Sequence, residues 1–142
     1  MNKNPVIIVD ADAIVAQASL EDNLHDRAVK IAEKLVQLNA KVLYPVTAII
    51  EATTHIQRVL NNGVIAYGTA IAFADANVNV VEVNHETIKH AIQFFGATTS
   101  KKNTLYDCIV AVVAKENKAD AIFSFDRFYK KQGFKLASEI FS

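Results

Sequence analysis

Cysteine, proline, glycine and net charge are all scarce in this chain, and each shortage closes off a class of protein. The lone cysteine, Cys108, excludes an intramolecular disulfide. Two Pro and four Gly among 51% hydrophobic residues leave no sign of a disordered or low-complexity linker, and no internal repeat is visible. Lys plus Arg and Asp plus Glu each number 15, for a formal net charge of zero. Any binding of nucleic acid must therefore come from a local basic patch and not from a global positive field. Long apolar runs are missing too. Near the start, Val6-Ile7-Ile8-Val9 gives way at once to Asp10, too short for a signal-peptide core or a membrane span. A cytoplasmic protein with no membrane association is the expectation. The 142 residues suit one domain able to bury roughly two thirds of its unfolded surface.

The most informative stretch runs from Thr104 to Arg127. Leu105, Cys108, Ile109, Val112 and Val113 recur at three- and four-residue spacing, which predicts a helix from about Thr104 to Lys115 with one buried face. Asn117 and Lys118 stop it. Ala121-Ile122-Phe123-Ser124-Phe125 then reads as a buried parallel strand with Asp126 at its carboxyl end. In open α/β sheets the ligand crevice lies outside the carboxyl ends of the strands, so this is where functional side chains are expected.

The rest of the chain repeats this logic. Val6–Val9 is a β-branched strand delivering Asp10, and Ala11-Asp12-Ala13 leads into a helix. Leu24, Ala28, Ile31, Leu35 and Leu38 mark a long amphipathic helix stopped near Asn39. Lys41–Tyr44 is a second strand, with Pro45 blocking further pairing. Thr47 is expected to cap a helix that turns Ile49, Thr53, Ile56 and Leu60 inward, carries Glu51 one turn inside, and ends at Asn61-Asn62-Gly63. Val64–Ala76 is helical but apolar on several faces, the mark of a deeply buried or interface helix. Val78–Val83 reads as a third strand, His85–Phe95 as a helix and Lys135–Phe141 as a last edge strand. This order implies a parallel sheet with helices on both faces.

Asp10, Glu51, Asp107 and Asp126 thus have similar addresses: two end strands and two lie in helical first turns, where the helix dipole favours an ionised carboxylate. Convergence makes them repel. Two unit charges about 5 Å apart at an effective dielectric of about 20 cost roughly 3 kcal/mol. Either protons are taken up at raised pKa values, or a divalent cation binds. Hard oxygen ligands favour Mg²⁺ or Mn²⁺ over zinc, and His25, His55, His85 and His90 lack metal-ligand spacing.

The segments VIIVDAD, VTAIIEA and TLYDCIVAVVAKENKADAIFSFD resemble the three blocks of PIN-domain proteins, the fold of many small nucleases and of VapC-type toxins. The resemblance covers nearly the whole chain. It implies a single PIN-like domain over residues 1–142, an α/β protein of three-layer α/β/α build with a mostly parallel central sheet of roughly four to five strands. Residue by residue it makes Asp10, Glu51, Asp107 and Asp126 the metal-binding and catalytic acids, with Ser124 as a supporting hydroxyl and Asp12 as a supporting acid. Asp12 stands where a small polar residue is commoner, and Cys108 where Ala is commoner. The activity implied is Mg²⁺-dependent (or Mn²⁺-dependent) endoribonuclease hydrolysis by the toxin of a type II toxin–antitoxin pair. RNA, a cognate antitoxin protein and a second copy of the chain, through the 64–76 helix, are the implied partners. Lys101, Lys102, Arg127, Lys130 and Lys131 would meet substrate phosphates, and Tyr106, Phe128 and Tyr129 would stack unpaired bases.

Plainer readings stand beside these. Asp107 follows Thr104 by three residues and is equally the second half of a capping box. Asp12 reads as a helix N-cap, Asp126 as a turn residue, Glu51 as a helix acid near His55 and Arg58, and Cys108 as a small buried hydrophobe. Two other functions remain open. Asp10-Ala11-Asp12 after a strand is similar to the nucleophile and acid of haloacid dehalogenase-type phosphatases, but leaves Glu51 and Asp107 without a role. An inactive binding module on the PIN fold is the other.

Overall fold

The computed structural model describes residues 4–96 and 102–141. Strand β1 (Val6–Val9) is followed by helices α1 (Ala11–Ala18) and α2 (His25–Gln37), then β2 (Lys41–Pro45), α3 (Val46–Arg58) and α4 (Gly63–Phe73). Strand β3 (Val80–Val81), α5 (His85–Ala91) with a 3₁₀ turn at Ile92–Phe94, α6 (Leu105–Glu116), β4 (Ala121–Phe123) and α7 (Phe128–Lys131) complete the order. The four strands form one sheet in the order β3-β2-β1-β4, every pairing parallel.

Alternation along β1 divides the core. Ile7 and Val9 face α1, α2 and α3, while Ile8 faces the opposite layer, where Ala91 of α5 and the body of α6 pack. This is the three-layer α/β/α arrangement. Helix α6 has more than one buried face: Cys108 through Ala114 are all buried, because it is enclosed by β1, α3 and α5 together. Among the described residues no helix is long and apolar enough to cross a membrane.

Left-handed backbone ends the helices where short polar residues predict it. Asn39 follows α2 with φ 53°, Asn61 follows α3 with φ 51° and Lys118 follows α6 with φ 50°. Gly63 instead opens α4, whose cap is Asn62, accepting from the Ile65 N–H at 3.0 Å.

Several expectations are corrected. Residues 135–141 form no edge strand: Leu136 makes a single parallel bridge to Ile122, and Ala137–Glu139 closes into a 3₁₀ turn in which Glu139 accepts from the Leu136 N–H at 2.8 Å. β3 is shorter than 78–83 because Val78 is tied into a turn on Asp75 and Asn84 already caps α5. β4 stops at Phe123, since the next amides bond to side chains and not to a strand. Pro45 stays in register opposite Val81, its ring removing a donor but not the position. Leu60 is largely exposed.

Thr47 is not a cap either. Pro45 holds the cap position, so Thr47 falls inside the first turn, and its Oγ1 is buried without a hydrogen-bond partner among the described residues. An unmatched buried hydroxyl costs free energy, whereas a true N-cap contributes about 1 kcal/mol. Thr47→Val is therefore expected to leave stability unchanged or raise it by up to about 1 kcal/mol; a urea midpoint lowered by the amount a lost cap costs would restore the capping role.

Candidate active site

Parallel register brings the first two acids together. Val9 lies opposite Phe123, so Asp10 and Ser124 leave the sheet side by side, and the Asp10 N–H still donates to the Phe123 carbonyl at 3.0 Å. Asp10 is also the N-cap of α1: its Oδ1 accepts from the Ala11 N–H at 2.7 Å. Asp12 therefore is no N-cap. Its Oδ2 accepts from Ser124 Oγ at 3.0 Å and from the Phe125 N–H at 2.8 Å, which clasps the loop after β4 against the start of α1.

Ser124 Oγ in turn accepts from the Asp126 N–H at 3.1 Å and stands 3.4 Å from Asp10 Oδ2. Asp126 lies beyond Ser124 and Phe125, not directly on the strand end, and accepts from Asn103 Nδ2 at 3.0 Å and from the Phe128 N–H at 2.9 Å. Both readings of Asp107 hold at once. Its Oδ2 accepts from the Thr104 N–H at 2.9 Å, as in a capping box, while its Oδ1 stands 3.4 Å from the Tyr129 hydroxyl, facing the other acids. Glu51 arrives from α3 and lines a cleft of ≈ 250 Å³ with Asp12, Asp22 and His55.

Electrostatics joins what the chain separates. Burial, then the charges of Asp107 and Asp12, pushes Glu51 up to about 7. Asp10 is raised well above the usual carboxylate range by burial and next by the Asp12 charge, against the downward pull of the Tyr129 hydroxyl. Asp107 is raised by burial, partly offset by the Thr104 amide, with Asp126 adding repulsion. Asp12 is raised by burial as well. Glu51 does not lie in the first turn of its helix, since α3 already begins at Val46, so the expected help of the dipole does not reach it; for Asp107, which is in the first turn of α6, that help is outweighed by desolvation and by a neighbour of like charge. The ion pairs Lys89–Glu86, His90–Glu116 and Lys130–Glu139 lie outside the cluster.

Among the described residues no three His, Cys, Asp or Glu side chains form a ready cage for an ion. The donor chemistry nevertheless suits Mg²⁺ or Mn²⁺: hard carboxylate oxygens that repel one another, in a cleft open to water. Mg²⁺ commonly takes one or two carboxylates and keeps several waters. Asp10, Glu51, Asp107 and Asp126 are the residues that would hold it.

Around this cluster the cations are uneven. Lys102, Arg127, Lys130 and Lys131 are exposed, with Lys130 engaged by Glu139 at 3.1 Å; Lys101 lies outside the described residues. Phe128 and Tyr129 do not present faces to bases, because Phe128 is buried and Tyr129 is 0% exposed; Tyr106 alone of the three is open to solvent. Arg27, which carried no expectation, stacks 5.2 Å over the Phe125 ring beside Asp126. The other unforeseen group is the Tyr129 hydroxyl, donating to Asp10 Oδ2 at 2.7 Å. Its one signal in the sequence is a phenol at an apolar position three residues past Asp126.

A parallel three-layer protein with carboxylates gathered at the carboxyl edge of its sheet belongs to the open α/β proteins that bind ligands at that edge. The chain belongs to the PIN domain family, whose model matches residues 7–135. Among solved structures it resembles Mycobacterium tuberculosis VapC20, described as a sarcin–ricin loop cleaving toxin, with TM-score 0.77 and 18% identity over 90% of this chain and 95% of that one. It also resembles FitAcB from Neisseria gonorrhoeae, with TM-score 0.65 and 14% identity over 92% and 95%. No curated protein matches.

The raised acids give the metal-free protein a definite pH response. Native Glu51 keeps its proton up to about pH 7, whereas unfolded Glu releases it near 4.5. Between those values the native state binds more protons than the unfolded chain, so stability is greatest below the lower value and declines as pH rises through the upper one. In EDTA, raising the pH from about 5 to about 8 should lower the melting temperature of the wild type more than that of Glu51→Gln. Equal slopes for the two proteins would remove Glu51 from the cluster.

Proposed function

We propose that this protein is a single-domain, Mg²⁺- or Mn²⁺-dependent endoribonuclease that hydrolyses RNA phosphodiester bonds, and that it is the toxin of a type II toxin–antitoxin pair acting in the cytoplasm. The observation that carries the reading is the gathering of Asp10, Glu51, Asp107 and Asp126 from β1, α3, α6 and the loop after β4, with the first three pushed up in pKa by burial and then by neighbouring acids, Asp12 and Asp107 for Asp10 and Glu51, Asp126 for Asp107. The likeness to VapC20 supports the choice of RNA.

A bound Mg²⁺ or Mn²⁺ ion would supply positive charge opposite the scissile phosphate and make a nearby water more acidic. The chain's own residues do the rest. Asp12 and Ser124 hold the loop that carries Asp126, Asn103 fixes the Asp126 carboxylate, and Tyr106, Lys102 and Arg127 stand exposed for bases and phosphates. Asp10 as the nucleophile of a phosphatase is disfavoured: it is 4% exposed, with donors on both oxygens.

Helix α4 supports an assembled state. Ala66 is its single buried residue among the described ones, and Val64 (81%) and Tyr67 (71%) face solvent beside Ile71. Such a surface, with Ile50 and Val59 of α3 also exposed, suits a homodimer, with the antitoxin as the heterologous partner. Light scattering at high micromolar concentration should report a dimer; a monomer would remove this part.

Single-stranded RNA and a phosphate monoester, each with and without Mg²⁺ or Mn²⁺, separate the alternatives. RNA cleavage that needs the ion is expected; monoester turnover with intact RNA would favour the phosphatase, and RNA bound but uncut the inactive module. Asp10→Asn and Asp107→Asn should lose hydrolysis by orders of magnitude, yet in EDTA should melt no earlier than the wild type, because a like charge is removed while the amide oxygen still accepts from Ala11 or Thr104. An Asp107→Asn protein that melts early in EDTA and still cleaves would return that residue to a purely capping role.

A further inference from the structure

Tyr129 is fully buried, yet its hydroxyl lies 2.7 Å from Asp10 Oδ2 and 3.4 Å from Asp107 Oδ1. A phenol has one proton to give, so the shorter contact is the hydrogen bond and the longer one an approach. The ring is anchored independently of the hydroxyl: it stands edge-on to Phe128 at 5.3 Å between centroids, within the layer built on α6. Nothing about packing requires the oxygen. A phenylalanine would fill the same space, and the polar atom is tolerated in the core because it meets a carboxylate.

Among the described residues Asp10 has two other donors in reach. The Ala11 N–H takes Oδ1 at 2.7 Å, and Ser124 Oγ, at 3.4 Å from Oδ2, is closer to Asp12. Without Tyr129 the Oδ2 edge of Asp10 would be left facing Asp107 and Asp12 with no strong donor. We propose that Tyr129 is a positioning residue of the candidate active site: its hydroxyl orients the Asp10 carboxylate toward Asp107 and sets the pair for a divalent cation. The proposal rests on the metal-dependent reading of the site. Groups that orient a ligand from behind typically change metal affinity about 10- to 100-fold when removed.

The test is Mn²⁺ binding by calorimetry to the wild type and to Tyr129→Phe, with melting in EDTA measured in parallel. A positioning role predicts that Tyr129→Phe binds Mn²⁺ about 10-fold or more weakly and that the loss is absent when the same change is made in Asp10→Asn. Equal Mn²⁺ affinity of wild type and Tyr129→Phe overturns the proposal and leaves the metal site standing. A wild type that binds no Mn²⁺ overturns the metal reading and the proposal with it. Should Tyr129→Phe fail to fold, the double variant with Asp10→Asn decides: recovery of folding shows that the hydroxyl answers the buried Asp10 charge, and continued failure shows that it is a packing group and overturns the proposal.

Discussion

Repulsion among buried carboxylates is the constraint on which the rest of this structure depends. Asp10, Asp12, Glu51 and Asp107 are all raised in pKa, first by burial and then by acids. A chain of this size has only a few kcal/mol to spare, so the scaffold beneath must tolerate the strain. It does so by fixing Asp10, Asp12, Asp107 and Asp126 through backbone donors. Ala11, Ala13, Thr104 and Phe128 each give an N–H to one of the acids, so that the charged groups double as caps and clasps. Capping and chemistry are not rival explanations of these residues. In Asp10 and Asp107 one carboxylate oxygen caps the start of a helix and the other faces the cluster.

The sheet supplies the rigid part of this bargain. Parallel pairing of β1 with β4 sets Asp10 against Ser124 without any side-chain contribution, and the burial of α6 on all sides fixes where Asp107 emerges. Glu51 is held more loosely, by α3 alone, and faces the open cleft with Asp22 and His55.

How much of this was legible in the residues follows from the range of the forces. Val6–Val9, the α6 periodicity and the Ala121–Phe123 run are local signals, and so are the stops at Asn39 and Asn61, where a short polar side chain favours left-handed backbone. The failures are tertiary. Lys135–Phe141 has the composition of a strand, but Glu139 reaches back to the Leu136 amide and turns it into a 3₁₀ helix. Thr47 looks like a cap until Pro45 takes the cap position two residues sooner. Tyr129 looks like an aromatic platform because no local pattern reveals a hydrogen bond across 119 positions of chain.

That separation has a temporal meaning. During synthesis the amino-terminal strand emerges first, and α1, α2 and β2 can pack on it while the rest is still being made. Asp10, however, waits for Tyr129, and Asp12 for Ser124 and Phe125, over 119, 112 and 113 residues respectively. The acids therefore stay unassembled on any nascent or prematurely ended chain. The acid cluster of this design is complete only once the chain through Tyr129 has been made.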